Sequence, residues 1–224
     1  MKTSKKRVTI VHTSFVIFDT LQALFREMVP GVEVKNIVDD SLLPEVMAKG
    51  GITENVQERM NTYFKMAEQS GADLVFSQCS SVGEAADTSA NEIGIPVIKV
   101  DTRMAEEACR VGKRIGVVAT VSTTMGLTCR LVEATAKRLE HEIEVVPCLV
   151  EGAFEALIGG DRQSHDEKVL GAIRGLLDQV EVVVCAQGSM AKIVGELGDP
   201  QVPVLTSLRS GVQSVADYFE ELNE

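Results

Sequence analysis

The sequence predicts an α/β fold built from two similar, pseudo-symmetric lobes, each a mainly parallel sheet flanked by helices. The first observation is an internal duplication, because Arg7 lies 107 residues before Arg114 and Pro96 lies the same distance before Pro203, each pair in similar apolar surroundings. The second is the alternation of short β-rich runs with helical periodicity along the chain. The third is that the β-rich runs are mostly apolar, which indicates strands covered on both faces, as in a parallel sheet.

Eight strands are expected, at about 7–13, 32–38, 73–78, 97–100, 114–119, 143–147, 181–185 and 203–205. Helices are expected between them, since apolar residues recur three and four positions apart, as in Phe18, Leu21 and Phe25. No Gly/Ser-rich or Pro-rich linker separates the halves. We therefore expect two closely packed lobes, residues 1–101 with the C-terminal helix 207–224 and residues 102–206, with the active site in the cleft between them.

Composition excludes several classes of partner. The 224 residues carry a net charge of −11, with no Trp and two Tyr, which argues against nucleic acid and anionic membranes. The basic start is not expected to be a signal peptide, since polar residues interrupt the apolar stretch and no cleavage site follows. Five Cys without a C-x-x-C pair, and three scattered His, predict reduced thiols, a cytoplasmic location and no metal site.

Ligands of open parallel sheets bind beyond the carboxyl ends of the strands, where four polar loops of this chain are expected. The candidate residues in these loops are Thr13, Ser14, Cys79, Ser80, Ser81, Thr120, Ser122, Thr123, Cys185, Ala186 and Gln187.

Two of these candidates are thiols at apparently matching places in the two halves. Cys79 and Cys185 are 106 residues apart, one short of the repeat, and each follows an apolar run. A thiol between a strand end and a helix start should have a lowered pKa. A thiolate on one face of a carbon could remove a proton while a thiol on the other face returns one, which inverts the stereocentre. This scheme needs no Schiff base or metal, so no cofactor is expected.

Simpler roles exist for other polar residues. Cys109, Cys129 and Cys148 are expected to be small core residues. Helix capping could explain the hydroxyls near the strand ends, with Ser81 in a capping box. His165 is expected to be a solvated first-turn residue, and His12 is expected to be packed rather than catalytic.

The duplicated lobes, Cys79 in Ser-Gln-Cys-Ser-Ser, Cys185 in Val-Val-Val-Cys-Ala and the loop Ala119–Thr123 resemble the Asp/Glu/hydantoin racemase superfamily, the PLP-independent amino-acid racemases. The likeness covers essentially the whole chain. It implies that Cys79 and Cys185 are the two bases, that Ser80, Ser81, Thr120, Thr123 and the residues after Cys185 contact substrate, and that the enzyme is a homodimer. The substrate would be an aspartate- or glutamate-like amino acid, a related small carboxylate or a hydantoin.

The chain departs from the family pattern after each thiol. Ser80-Ser81 replace the Asn-Thr typical of aspartate and glutamate racemases, and Ala186-Gln187 replace the Thr after the second Cys. The segment Cys185–Met190 looks more like the Cys-Ala-Gly-Met of hydantoin racemases, with extra residues. Two alternatives stay open: an enzyme resembling maleate isomerases or arylmalonate decarboxylases, although the latter lack the first Cys, and a non-catalytic two-lobed protein that binds small acids.

Overall fold

The structure, a computed structural model, describes residues 5–222 of the chain. Its contacts divide the chain into two compact units. One unit ends at Val100 and resumes at Arg209, and the other is the continuous segment Asp101–Leu208.

The first unit is a four-stranded parallel sheet with helices on both faces. Its strands, in the order β2-β1-β3-β4, are β1 (Arg7–His12), β2 (Glu33–Val38), β3 (Leu74–Ser77) and β4 (Val97–Lys99). Its helices are α1 (Phe18–Met28), α2 (Leu42–Lys49), α3 (Glu54–Gln69), α4 (Gly83–Ala90) and the greater part of α10 (Ser207–Glu221). A 3-10 helix, Ser80–Val82, connects β3 to α4.

The second unit repeats this strand order, as β6-β5-β7-β8 with all pairs parallel. Its strands are β5 (Arg114–Ala119), β6 (Glu144–Leu149), β7 (Val182–Cys185) and β8 (Val204–Thr206). Its helices are α5 (Thr102–Val111), α6 (Ser122–Arg138), α7 (Ala153–Ile158), α8 (Arg162–Leu176) and α9 (Ala191–Val194), with 3-10 helices at Gly188–Met190 and Gly195–Leu197.

Alternate residues of the central strands enter different cores, as the period of two in a strand requires. In β5, Val117 joins the cluster formed with α5 and α6, whereas Val118 joins the cluster formed with α8. In the first unit Val75 of β3 packs with α2, α3 and α4, while the ring of Phe76 meets that of Phe25 of α1 edge-on at 5.4 Å. Both faces of each sheet are therefore covered.

The C-terminal helix α10 approaches the backbone that follows β4. A Cβ placed on Gly211 would lie 2.5 Å from the carbonyl oxygen and 2.9 Å from Cα of Val100, so only glycine fits there. On the same helix, Nη2 of Arg209 lies 2.5 Å from Oε1 of Glu27 in α1.

The predicted fold class is confirmed: both units are parallel sheets flanked by helices, and all eight expected strands are present. None of the helices formed within residues 5–222 combines the length and apolar character that a bilayer-spanning segment requires. Over the same range, no three His, Cys, Asp or Glu side chains are grouped in a way that could hold a metal ion.

Candidate functional site

In the first unit, the predicted residues follow the two central strands at the carboxyl edge of the sheet. The last register pair between these strands is Val11 with Ser77. Thr13 and Cys79 each lie two residues beyond that pair. Because the two strands are parallel neighbours, Thr13, which carries a hydroxyl, and Cys79, which carries a thiol, lie at the same edge of the sheet.

Cys79 lies between β3 and the 3-10 helix Ser80–Val82, directly before the first residue of that helix. Its backbone is extended, with φ −123° and ψ 119°, and its carbonyl accepts the N–H of Val82 at 3.2 Å to open the 3-10 helix. The residue is half-buried, Ser80 is also half-buried and Ser81 is buried. Cys79 therefore has a defined backbone conformation, and the half-buried residue packs against the apolar cluster formed by α2, α3 and α4.

Two buried hydroxyls at this edge make no hydrogen bond within the described part of the chain. They are Oγ1 of Thr13 and Oγ of Ser77, on residues that are each 1% exposed. A buried hydroxyl without a partner is unfavourable by about 1–3 kcal/mol. Ser77 was not among the predicted site residues. Its signal in the sequence was a polar residue directly after the apolar run Leu74–Phe76.

In the second unit, the side chain of Gln187 joins the loops that follow β5 and β7. The backbone N–H of Thr120 donates to Oε1 of Gln187 at 2.6 Å, and Nε2 of Gln187 donates to Oγ1 of Thr120 at 2.9 Å. The structure thus brings together two of the predicted residues of this half.

The strand register shows that Cys79 and Cys185 do not occupy equivalent positions. Val11 of β1 pairs with Ser77, and its counterpart Val118 of β5 pairs with Cys185. Cys185 is therefore the counterpart of Ser77, inside the strand.

The counterpart of Cys79 is Gln187. Each precedes a three-residue 3-10 helix with an extended backbone, and Gln187 has φ −127° and ψ 140°. Each also accepts, through its carbonyl, the N–H of the residue three positions later. The prediction of matched thiols is therefore wrong. The spacing of Cys79 and Cys185 differs from the repeat by one residue, but the true counterpart of Cys79 lies two residues after Cys185.

Cys185 lies in the hydrophobic core of the second unit. It is 0% exposed and belongs to the apolar cluster with Val169 and Ile173 of α8. Burial raises the pKa of Cys185 to about 12, opposite to the lowered pKa expected from a helix start. The next residue, Ala186, is also buried, and its N–H is used in the sheet by donating to the carbonyl of Val118 at 2.9 Å.

None of the predicted hydroxyl residues occupies the N-cap position of the α-helix that follows it. The N-cap positions of α1, α4 and α6 are Ile17, Val82 and Val121, and none of these makes a side-chain cap hydrogen bond. Ser81 lies in the 3-10 helix that precedes α4 rather than at the N-cap position of α4.

The remaining hydroxyl candidates differ in exposure. Ser14 is half-buried, Ser122 is exposed in the first turn of α6, and Oγ1 of Thr123 is buried without a partner among the described residues. Thr123 thus shares with Thr13 and Ser77 the property of an unused buried hydroxyl.

His12, the last residue of β1, is packed as expected. Its ring is 0% exposed and lies 5.0 Å from that of Phe18, with Nε2 at 2.9 Å from Oδ1 of Asn36. A proton on Nε2 donates to that oxygen and leaves Nδ1 as an acceptor, for which the described residues provide no partner. Burial lowers the pKa of His12, although the Asn36 hydrogen bond opposes this.

The structure also places the three other cysteines and His165, for which the sequence predicted structural roles. Cys109 and Cys129 lie in α5 and α6 and Cys148 in β6, and burial raises the pKa of all three thiols. None of the five cysteines forms a disulfide. The prediction that His165 is solvated is wrong: it is 0% exposed in α8, whose N-cap is Asp161.

Comparison with known proteins gives the family. A comparison of the sequence with curated proteins finds no significant match. The solved structures that share the fold include three racemases. An allantoin racemase from Klebsiella pneumoniae is 18% identical, with 97% of this chain and 89% of that chain covered and a TM-score of 0.70. An aspartate racemase from Picrophilus torridus is 16% identical, with 95% and 94% covered and a TM-score of 0.71.

The third structure is a glutamate racemase from Bacillus anthracis, 14% identical, with 98% of this chain and 84% of that chain covered and a TM-score of 0.74. The family model described as Asp/Glu/hydantoin racemase matches residues 8–215. The match spans most of both units and includes all the predicted site residues, so the chain belongs to the Asp/Glu/hydantoin racemase family.

Proposed function

We propose that this chain catalyses cofactor-independent proton transfer at the α-carbon of a small carboxylate or hydantoin, the chemistry of a racemase or epimerase, with Cys79 as the group that exchanges the proton. The observation that carries the proposal is the position of Cys79. It is partly accessible at the carboxyl edge of the sheet, directly before a helical turn. Membership of the racemase family supports the reaction type.

At this edge of the sheet, we assign proton transfer to the thiol and stabilisation of the developing charge to the hydroxyls. The Cys79 thiolate accepts the α-proton from one face of the substrate, while negative charge builds on the adjacent carboxylate or carbonyl oxygen. Return of a proton from water to the opposite face inverts the stereocentre, and return to the same face retains it. The buried hydroxyls of Thr13 and Ser77, which have no hydrogen-bond partner within residues 5–222, are available to donate to such an oxygen. Donors placed before the charge develops stabilise the transition state because they need no reorganisation.

The substrate class proposed is an aspartate- or glutamate-like amino acid or a hydantoin. Support comes from the family and from the printed activities of its structural relatives, which act on aspartate, glutamate and allantoin. The departures at Ser80-Ser81 and Ala186-Gln187 argue for testing both groups of substrates equally.

Hydrogen–deuterium exchange tests the proposal. Both enantiomers of aspartate, glutamate and alanine, together with allantoin, are incubated with the protein in deuterium oxide, and loss of the α-proton signal is followed by NMR against an enzyme-free blank. We expect exchange of at least one substrate, and its loss in Cys79→Ala. Cys148→Ser, a thiol on the edge strand β6, is the matched control and should retain exchange. Absence of exchange with every substrate would sink the proposal.

A second candidate is nucleophilic isomerisation of a cis dicarboxylate, favoured by the half-buried thiol-bearing residue, Cys79, that follows β3 at the carboxyl edge of the sheet. The Cys79 thiolate would add to one alkene carbon while the π electrons move onto the carbon beside the other carboxylate. Rotation about the resulting single bond and expulsion of the thiolate would give the trans isomer. A dicarboxylate adduct on the Cys79 peptide in mass spectrometry, with maleate converted to fumarate, would select this reaction.

We also propose a cytoplasmic homodimer, on the resemblance alone. Light scattering of the purified protein would give its mass in solution. Ligand stabilisation by small acids without turnover, unchanged in Cys79→Ala, would instead select a non-catalytic binding protein.

A further inference from the structure

We propose that His12 and Gln78 form a neutral subsite for the side chain of the substrate, so that this chain prefers a substrate ending in an amide, as in a carboxamide or ureido group, over one ending in a carboxylate. The inference rests on the proposed function and deepens it, because it chooses among the substrate classes which that function leaves open. Both residues belong to the first unit.

His12 and Gln78 are neighbours in the first sheet. The N–H of Gln78 donates to the carbonyl of Val11 at 3.2 Å, which extends the ladder between β1 and β3 by one residue and pairs Gln78 with His12. Paired residues of neighbouring strands lie about 4.8 Å apart. His12 is 0% exposed and Gln78 is 5% exposed. The last row of the sheet thus contains two buried polar side chains side by side.

Both side chains project to the face of the sheet that α1 covers. The ring of His12 lies 5.0 Å from that of Phe18 in α1. Phe76, two residues before Gln78, contacts an aromatic ring of the same helix. Because residues two apart in a strand share a face, Gln78 joins His12 on the α1 side.

The thiol of the proposed reaction follows this pair directly but lies on the other side of the sheet. Cys79 is the next residue after Gln78 and packs against the cluster formed by α2, α3 and α4. A ligand lying over the carboxyl edge can therefore place its reacting carbon at Cys79 and extend its side chain towards His12 and Gln78. The pair is separated from the reacting atoms, so it affects specificity rather than proton transfer.

His12 offers this subsite a hydrogen-bond acceptor. Its Nε2 lies 2.9 Å from Oδ1 of Asn36, and Nε2 of Gln22 donates to the same oxygen at 2.9 Å, which fixes the ring. Its Nδ1 is buried, and residues 5–222 provide no partner for it. Burial lowers the pKa of His12, so the ring is mainly neutral at pH 7.5, about one pH unit above the ordinary value, and Nδ1 can accept a hydrogen bond.

Gln78 offers both a donor and an acceptor. Within residues 5–222, its side-chain amide makes no hydrogen bond. A terminal amide of a ligand can pair with it through two parallel N–H···O bonds and give its second N–H to Nδ1 of His12. A carboxylate has only acceptor atoms, so it cannot donate to Nδ1.

Charge gives the same preference. The segments 12–18 and 74–83, which contain the pair and the residues around it, have no Lys or Arg. Arg59, which reaches the end of β2, is already bound to Asp39 and Glu45. A carboxylate buried without a counter-charge is strongly unfavourable, whereas a neutral amide is not.

A ligand reaches the pair past the segment between β1 and α1. The ring of Phe18 lies against His12, and the ring of Phe15 lies 6.2 Å from that of Phe18. Phe15 is 62% exposed, so packing in the core does not hold it in place. Entry therefore requires this segment to move, and residues 14–18 carry no charge that would bind an acid on the way.

Binding is tested by NMR of the full chain labelled with 15N-histidine. The resonance of His12 is identified by its loss in His12→Asn, and glutamine, glutamate, asparagine, aspartate and allantoin are titrated separately at pH 7.5. We expect glutamine, asparagine or allantoin to shift the Nδ1 resonance of His12. The amide should bind at least about tenfold more tightly than the acid of the same shape, because only the acid buries a charge.

A substitution separates this role from a general effect on folding. Gln78→Met keeps the length of the side chain but removes the amide, so it should weaken binding of the amide ligand about three- to tenfold and leave binding of the acid unchanged. Gln69→Met, at the exposed end of α3, is the matched control and should bind both ligands like the wild type. A folding defect would weaken both ligands together.

Exchange provides a second readout. In deuterium oxide, the α-proton of the amide should exchange with a higher kcat/KM than that of the matched acid, and Gln78→Met should reduce this difference through KM. Equal or tighter binding of the acids to the wild type would overturn the subsite. So would an amide ligand that leaves the His12 resonance in place, the absence of binding by every ligand, or an amide affinity unchanged in Gln78→Met.

The two proposals fail separately. Exchange of aspartate or glutamate without any response of His12 would overturn the subsite and leave the proposed function standing. A shift of His12 by an amide ligand in a protein that exchanges no substrate would overturn the proposed function and leave His12 and Gln78 as a binding site for amides.

Discussion

Cys148 of β6 and Cys185 of β7 lie in one row of the second sheet, on either side of Val118. Residues that share a row in a parallel sheet project to the same face, which here is the face covered by α8. Both thiols are therefore part of the packing between sheet and helix. This relationship separates Cys185 from Cys79 in its expected chemistry.

Replacing Cys185 should change stability without abolishing proton exchange. Cys185→Ser introduces a hydroxyl into a fully apolar site and should destabilise the fold by about 1–3 kcal/mol. Cys185→Val keeps the site apolar and should be milder. Urea unfolding followed by circular dichroism measures the free energy of unfolding of both variants. If the Val variant folds like the wild type yet loses all exchange, Cys185 has a chemical role and its assignment to the core alone is wrong.

Alkylation should distinguish the thiols directly. With its pKa near 12, Cys185 has only about one thiolate in 10,000 at pH 8, and its side chain is buried. Cys79 is partly accessible. Iodoacetamide at pH 8 should modify Cys79 in the native protein, and should reach Cys185 only after unfolding in urea. Peptide mapping by mass spectrometry gives the order, and native modification of Cys185 ahead of Cys79 would contradict the burial.

His12 should make stability depend on pH. Burial lowers its folded pKa from 6.5, so the unfolded chain takes up the proton first as the pH falls. The stabilisation is fully present above about pH 6.5 and declines below it by up to about 1.4 kcal/mol per pH unit, until the folded His12 also protonates. His12→Asn should reduce this slope between pH 6.5 and 5. Equal slopes in urea titrations of both proteins would exclude His12 as the source.

A polar network should stabilise the first unit more than an exposed ion pair does. Arg59 donates to Asp39 at 2.8 Å and to Glu45 at 2.6 Å, and all three side chains are at most one quarter exposed. Arg59→Met leaves two carboxylates without this partner and should destabilise by about 1–3 kcal/mol.

The control for that network is Lys65→Met, which removes a pair with Glu92 whose side chains are each nearly half exposed. This change should lie below about 1 kcal/mol. Similar losses for the two variants in urea unfolding would show that the network adds nothing beyond a surface pair.

Two helical glycines should respond oppositely to Ala. Gly211→Ala places a Cβ 2.5 Å from the Val100 carbonyl oxygen and should destabilise by about 1–3 kcal/mol. Gly171→Ala in α8 meets no atom within 4 Å and should stabilise by up to about 1 kcal/mol. Thermal unfolding of both variants tests this, and a neutral Gly211→Ala would refute the close approach of α10 to Val100.

The sequence was sufficient for the architecture because the repeating signals were strong. Apolar, β-branched runs such as Val182–Val184 are typical of strands covered on both faces. The duplication predicted the same order of elements twice. The structure confirms all eight strands and both parallel sheets.

The predictions from sequence were wrong at boundary positions, where a shift of one or two residues decides whether a side chain lies in the core or in a loop. Cys185 ends an apolar run and precedes polar residues, so its side chain could have belonged to either. Met190 carried the missing signal: aligning it with the Met of Cys-Ala-Gly-Met places Gln187 at the Cys and removes the extra residues. The prediction for His165 was wrong for a related reason: Asp161 is the N-cap of α8, and at the position this gives it in the helix His165 is buried.

The close fit of Gly211 against Val100 has a consequence for how the chain is made. The unit Asp101–Leu208 is continuous, whereas the unit that begins the chain is completed only from Arg209 onwards. On a ribosome, synthesis proceeds from the N-terminus, so the later-encoded half has all its residues first. The half translated first must wait for the last helix to emerge before it can close its own core.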